Sequence, residues 1–412
     1  VLSLGQRPQG VVYAVPGHPL VGETSVLAVL KRAADAGQKV RLVNGLSFIE
    51  PVLTALGVDG LDFLQLADAT RLASSHHPTL EVDRPALVGQ LYGRRLASGV
   101  KLTLMNAYPA DHPVTLVHAA GTGRCEVTTL PLYELDRNHQ VGHLTTLFVP
   151  ALPPGCSLSS LQDTVARLRA PGGCPWDREQ THQTLRSSLL EETYEVLAAL
   201  DSGDEDKMCE ELGDLLMQIA MHTQIATEQG EFQLCDVIGR IGAKLMRRHP
   251  HVFGDVSVRD SADVLRNWES IKAAERTHAG EGGSQPSRLD GVPSFLPALA
   301  RAQALGERAA RVGFDWPQVE GVLDKLDEEV AELSAAREAE ARGCEFGDLL
   351  FTLVNLARWL DVDAESALRA ACDRFAERFA AMEREIEKRG VDLSGLSPSQ
   401  LDALWEAAKE QS

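Results

Sequence analysis

The sequence predicts a multidomain protein in which an α/β unit is followed by two all-α repeats. Three observations lead there. The chain has 412 residues, and at ~150 residues per domain that length implies two or three compact units. Residues 1–150 alternate short β-branched runs with helical patterns, the mark of an α/β unit. From Ser157 onward alternation of period two fades, helical periodicity takes over, and one acidic pattern occurs twice.

In chain order, Val11-Val12-Tyr13-Ala14-Val15 is an apolar run that ends at Pro16-Gly17-His18-Pro19, so a strand and a turn are expected. Val26, Leu27, Val29 and Leu30 then mark a helix. Val40 to Val43 reads as a second strand, Asn44-Gly45 as a turn, and Phe48, Ile49, Val52 and Leu53 as a helix. Strand, turn and helix in this order imply some parallel sheet. Later strands are closer together: Val114 to His118, Cys125 to Leu130, and Thr146 to Val149. Pro150, Pro153, Pro154 and Gly155 mark a linker across which few contacts are expected. The expected boundaries are 1–150 for the α/β unit, 157–276 for the first helical repeat, 277–290 for a polar Gly-rich linker and 291–412 for the second repeat. In the last, Leu349, Leu350, Leu353, Leu356, Ala357 and Leu360 share one helix face, and Leu215, Leu216 and Ile219 begin the same pattern earlier.

The formal net charge of −19 argues against a protein that binds nucleic acid or an anionic membrane through its overall field. A phosphate-bearing ligand stays compatible, because carboxylates recruit Mg²⁺ and Mg²⁺ carries phosphate. No apolar run approaches the ~18 residues of a membrane helix, and no basic-then-apolar leader opens the sequence. Seven cysteines without a C-x-x-C pair fit reduced thiols, hence a cytoplasmic location.

The repeat is the most informative feature. Glu191-Glu192-Thr193-Tyr194-Glu195 is echoed by Glu328-Glu329-Val330-Ala331-Glu332, and Glu211-Leu212-Gly213-Asp214 by Glu345-Phe346-Gly347-Asp348. Trp268-Glu269 with Lys272 is echoed by Trp405-Glu406 with Lys409. Acids three apart project from neighbouring turns of one helix face. Asp201-Ser202-Gly203-Asp204 stops one helix and starts the next, and so short a connection makes the two helices neighbours. Glu192, Glu195, Glu211 and Asp214 can then face each other, as can Glu329, Glu332, Glu345 and Asp348. Facing carboxylates repel, and a hard divalent cation relieves that cost. All-oxygen ligation selects Mg²⁺, with Mn²⁺ as the substitute, over zinc. A single E-x-x-E is an ordinary solvated face; two pairs in register are not. Gly213 and Gly347 each cost a helix ~1 kcal/mol relative to Ala, so close approach is expected there.

The doubled E-E-x-x-E and E-x-x-D motif resembles the MazG nucleoside triphosphate pyrophosphohydrolases. The likeness extends to Gly173-Cys174-Pro175-Trp176-Asp177, to Arg247-Arg248-His249-Pro250-His251-Val252-Phe253 and to Val312-Gly313-Phe314-Asp315-Trp316. It implies Mg²⁺-dependent hydrolysis of nucleoside triphosphates to a monophosphate and pyrophosphate by a helical homodimer. Carried over, the metal ligands are the eight acids above, with Glu191 and Glu328 as outer acceptors. The resemblance makes the second repeat the main catalytic one, where Lys325, Arg374, Arg378 and Trp405 meet the nucleotide. Ala341-Arg342-Gly343-Cys344 departs from the family, which has a Lys and further acids there. His249 and His251 fall in a structural turn, and Trp176 and Trp316 read as helix-end packing.

The N-terminal part resembles the tetrapyrrole methylases through Tyr13-Ala14-Val15-Pro16-Gly17-His18-Pro19-Leu20-Val21, Asn44-Gly45-Leu46-Ser47-Phe48 and Lys101-Leu102-Thr103-Leu104-Met105. That family binds S-adenosylmethionine between two halves of an α/β domain. Its Gly-rich opening strand has no counterpart here, so the domain is read as partial. The fold expected is therefore a partial tetrapyrrole-methylase-like α/β domain followed by two all-α MazG repeats. Two other functions stand beside hydrolysis: S-adenosylmethionine-dependent tetrapyrrole methyl transfer, and a non-catalytic helical module that binds metal or a partner.

Overall fold

The computed structural model describes residues 1–261, 263–264, 267–268, 271, 287–290, 292–294, 296–388 and 396–409. It divides into two compact units, Val1–Ile271 and Lys272–Ser412. The first holds the α/β part and the first helical repeat. Most of the expected 277–290 linker, and Glu269 and Lys272 of the echoed Trp-Glu-Lys motif, lie outside the described residues.

The α/β part opens with α1 (Leu2–Gly5), α2 (Thr24–Asp35) and α3 (Ile49–Leu56). A mixed sheet follows, from β1 (Gln65–Asp68), β2 (Ala86–Gly89), β3 (Pro113–His118), β4 (Glu126–Pro131) and β5 (Thr145–Val149). Helices α4 (Ala69–Ala73) and α5 (Arg94–Leu104) lie between strands in sequence. The order is β1-β2-β5-β3-β4, with β1 and β2 parallel and the other pairs antiparallel. Strand side chains alternate between faces, and both faces are buried. Val88, Val114, Leu116, Leu147 and Val149 pack with Ala97, Val100 and Leu104 of α5. Leu87 and Val117 point the other way, to Val52, Ile49 and Leu53 of α3.

The three later strands stand where the sequence puts them, and so do the helices after Pro19 and Gly45. The two opening strands do not form: Val11–Val15 and Val40–Val43 pair with nothing among the described residues. Val12 is 92% exposed and Val43 74%. β propensity expresses a fit to a pleated, half-buried surface, and these runs have no adjoining strand to supply one. They instead line, with Val26, Val29, Leu30 and Ala33 of α2, a cavity of about 840 Å³.

Helix α6 (Leu158–Arg169) is capped by Ser157, whose side chain accepts from Ser160 N. Its Val165 packs with Leu185, Ala220, Met221 and Ile225 in the core of the first repeat. The short α7 (Pro175–Glu179) leads to α8 (Arg186–Ser202) and α9 (Glu205–Gln229). Gly203, at φ 69°, closes α8, and Asp204 caps α9 by accepting from Lys207 N, so this stop and restart follow the sequence signal. Helices α10 (Leu234–Arg248) and α11 (Pro250–Phe253) follow. The stretch around Pro150 is tied down more than a linker reading suggests. His112 Nε2 lies 2.9 Å from Pro150 O, Leu152 N donates to Val82 O at 2.8 Å, and Ser157 Oγ donates to Asp83 Oδ2 at 2.8 Å.

The second unit contains α12 (Ala298–Arg311), α13 (Val319–Ala335), α14 (Ala339–Trp359), α15 (Ala364–Lys388) and α16 (Pro398–Lys409). The leucine stripe of α14 is not its buried face. Thr352, Val354 and Asn355 are buried, while Leu350, Leu353 and Leu360 are exposed. The close approach of α12 to α14 explains this. A Cβ on Gly306 would meet Asn355 Oδ1 at 2.7 Å, so small and polar residues take the inner face. Gly213 and Gly347, where crowding was expected, have open space where a Cβ would sit.

Candidate active site

Helices α8 and α9 pack on each other, as do α13 and α14. Each pair gathers carboxylates. Ligand oxygens of Glu192, Glu195 and Glu211 lie within 4.8 Å of one another, and so do those of Glu329, Glu332 and Glu345. These are the two such groups among the described residues. Asp214 and Asp348 stand outside them but act through charge: Asp214 on Glu192 and Glu211, Asp348 on Glu345.

Burial sets the electrostatics. Glu211 is 8% exposed and Glu329 4%. Burial first, then the charges of Asp214 and Glu195, raises the pKa of Glu192 above its ordinary value. Glu211 is raised by burial and Glu195, with Lys207 opposing. Glu345 is raised by burial and by Glu332, Glu329 and Asp348, with Lys325 opposing. Each cluster thus resists its own accumulated charge. One oxygen of Glu329, Oε2, is buried without a hydrogen-bond partner. A buried carboxylate oxygen left unpaired is costly, and a hard cation satisfies it. All-oxygen donors and unrelieved negative charge fit Mg²⁺.

The outer acids differ. Glu191 is exposed, whereas Glu328 accepts from Lys325 Nζ at 3.0 Å. Lys325 also meets Glu329 at 2.8 Å, and these two hydrogen bonds raise its pKa. Arg374 and Arg378 are on α15, which packs against α16. Trp405 of α16 has its ring 5.0 Å from that of Phe375 and lies beside Met382, Ile386 and Leu404. The structure therefore brings Lys325 to the acids, and Trp405 packs in the apolar cluster of α15 and α16.

Sequence reasoning missed two groups. Gln218 is 3% exposed and acts on Glu192, opposing the burial and charge that raise its pKa. It lies two helical turns after Glu211, a spacing that puts it on the acid face. His182 and His222 are the second group, with Nδ1 atoms 2.8 Å apart and rings nearly parallel at 5°. Burial and then His182 lower the pKa of His222. They are distant in sequence, and no local pattern announces them. His249 and His251 sit at a helix-end turn, where His249 Nδ1 bonds Leu245 O at 2.8 Å. Trp316 packs against Gly321, but Trp176 is 62% exposed, since α7 offers it no apolar neighbour to cover it.

A methylase-like α/β domain ahead of helix pairs that gather carboxylates defines a fused class, half transferase fold and half acid-rich helical hydrolase. The comparisons agree. The tetrapyrrole (corrin/porphyrin) methylases match residues 3–136, and the MazG nucleotide pyrophosphohydrolase domain matches residues 180–253. The chain is 42% identical to protein YabN of Bacillus subtilis, over 100% of its own length and 84% of that protein. It is 46% identical to the nucleoside triphosphate pyrophosphohydrolase/pyrophosphatase MazG of Thermotoga maritima, over 62% of this chain and 96% of the relative. Against the crystal structure of the methyltransferase CobJ, the TM-score is 0.27 at 15% identity, covering 33% of this chain and 62% of that one. The chain thus spans less than two thirds of that methyltransferase. The chain belongs to the MazG nucleoside triphosphate pyrophosphohydrolase family, in a form that carries a tetrapyrrole methylase domain ahead of the helical region.

Proposed function

We propose that this chain hydrolyses nucleoside triphosphates to nucleoside monophosphate and pyrophosphate, using Mg²⁺ held by its paired helix carboxylates. The observation that carries the reading is the gathering of three acids, one of them buried, between α8 and α9 and again between α13 and α14. The relatives named as nucleoside triphosphate pyrophosphohydrolases support it. Glu192, Glu195, Glu211 and Asp214 would hold the ion in the first repeat, and Glu329, Glu332, Glu345 and Asp348 in the second, with Mn²⁺ as the substitute. When bound, Mg²⁺ supplies positive charge to phosphate oxygens. Glu191 and Glu328 act as outer acceptors. Lys325, Arg374 and Arg378 bring cationic donors to the triphosphate, and Trp405 supplies an aromatic face near the base.

The same reading includes a cytoplasmic homodimer that acts on free nucleotides rather than nucleic acid. Among the described residues no helix is long and apolar enough to cross a membrane. Exposed Leu212, Leu216 and Ile219 on α9, and Val237, Ile238, Ile241 and Leu245 on α10, form apolar surface that a second copy would cover.

The test is product analysis over a nucleotide panel, with Mg²⁺ and with chelator. Monophosphate and pyrophosphate should appear only with the metal. Diphosphate and orthophosphate would place the cleaved bond elsewhere. In the second repeat, Glu329→Gln should lower turnover on the order of 100-fold, the scale of losing one transition-state contact, and Glu192→Gln should cost less. The reverse ranking would move the chemistry to the first repeat.

A further inference from the structure

We infer that Lys325 is a built-in counter-cation that competes with divalent metal for the second carboxylate cluster, so that the two clusters differ in metal affinity. The inference rests on the metal-dependent reading above and concerns which cluster fills first. Lys325 precedes Glu328 by three residues and Glu329 by four on α13, so its stem runs along the acid face. Its Nζ lies 3.0 Å from Glu328 Oε1 and 2.8 Å from Glu329 Oε1. Glu329 is 4% exposed, and its other oxygen, Oε2, is buried with no partner. The ammonium thus satisfies one oxygen of a buried carboxylate and leaves the second open. That is incomplete neutralisation of a site whose three acids share one spot.

The first cluster lacks this device. Four residues before Glu192 stands Ser188, where Lys325 stands four before Glu329. The cation acting on the first cluster is Lys207, one turn before Glu211 on α9. Among the described residues no ion pair joins Lys207 to these acids, so a divalent ion arriving there displaces no bonded ammonium. At the second cluster it must displace Lys325 from Glu329. A lysine on a flexible four-carbon stem can leave, and a triphosphate offers it another set of oxygens. Metal and nucleotide would then favour each other at the second repeat, each by the same factor.

The probe is Mn²⁺ alone, titrated into the full chain without nucleotide and followed by its electron paramagnetic resonance signal. Glu192→Gln with Glu195→Gln silences the first cluster, and Glu329→Gln with Glu332→Gln silences the second. The first cluster should bind Mn²⁺ about tenfold tighter than the second, which corresponds to about 1.4 kcal/mol. Adding Lys325→Met, which keeps a long stem and removes the charge, should close that gap. Lys325→Arg, which keeps the charge, should leave it open. If Lys325→Met binds Mn²⁺ no tighter at the second cluster, the counter-cation role is overturned while metal binding stands. If neither cluster binds Mn²⁺ in any variant, the metal-dependent reading falls and this inference falls with it.

Discussion

His222 gives the first repeat one source of acid sensitivity. It is half-buried, its Nε2 is buried without a partner, and its Nδ1 faces His182 Nδ1. Burial and that neighbour hold its pKa below the ordinary imidazole value of about 6.5. Between the lowered folded value and 6.5 the unfolded chain binds more protons, so stability falls as pH falls through that window. The groups facing it are His182 and, 4.0 Å from His182 Nε2, Glu231. Thermal unfolding at pH 7.5 and 5.5 should show a drop on acidification that is smaller in His222→Gln. An equal drop in both proteins would mean that folding does not lower the pKa of His222. At this scale the gathering of Glu192, Glu195 and Glu211, and of Glu329, Glu332 and Glu345, was legible, because E-x-x-E spacing is local helix geometry. Gln218 was legible in principle from the same helix face. The pairing of His182 with His222 was not, since it depends on how the loop before α8 returns to α9.

Elements were legible where their stabilisation is local. The stop at Gly203, the cap at Asp204 and the later strands follow from turn chemistry and alternation. Elements whose partner is remote were misread. Val11–Val15 and Val40–Val43 have strand composition without a neighbouring strand, and β1 and β2, four residues each, were too short to stand out. The leucines of α14 looked like a core face, yet Thr352 and Asn355 are buried in their place. The apolar stripes of α9 and α14 thus turn outward, as the open space at Gly213 and Gly347 also shows. If a second copy covers α9, a charge placed there is buried unpaired, at a cost of ~3 kcal/mol or more. Leu216→Glu with Ile219→Glu should therefore shift the light-scattering mass from dimer towards monomer while helicity is kept. An unchanged dimer would put the interface on another face.

At the scale of the whole molecule, the hydrolytic part should work without residues 1–150. The two parts of the first unit keep separate cores. One is built from β2, β3, β5 and α5, the other from Val165, Leu185, Ala220, Met221 and Ile225. Polar links between them centre on Asp83, which accepts from Ser157 Oγ at 2.8 Å and from Ser160 Oγ. Those hydroxyls hold the pKa of Asp83 below its usual value, Ser160 first. Losing Asp83 removes its partners' hydrogen bonds, but it also removes the half-buried charge that needed them, and the serines return to water. A hydrogen bond to a charged group is worth ~1.5–3 kcal/mol, and that contribution leaves together with the carboxylate that carries the charge. The cap from Ser157 to Ser160 N, at 3.1 Å, lies within the helical part and survives. Packing of Leu161 and Val165 on α9 survives too. A chain that begins at Ser157 should therefore fold, stay helical and keep turnover per chain. Circular dichroism, light scattering and pyrophosphate release at matched concentration compare it with the intact protein. A truncated chain that is helical and monodisperse but inactive would show that the α/β part shapes the site, and hydrolysis would then belong to the fused unit rather than to its helices alone.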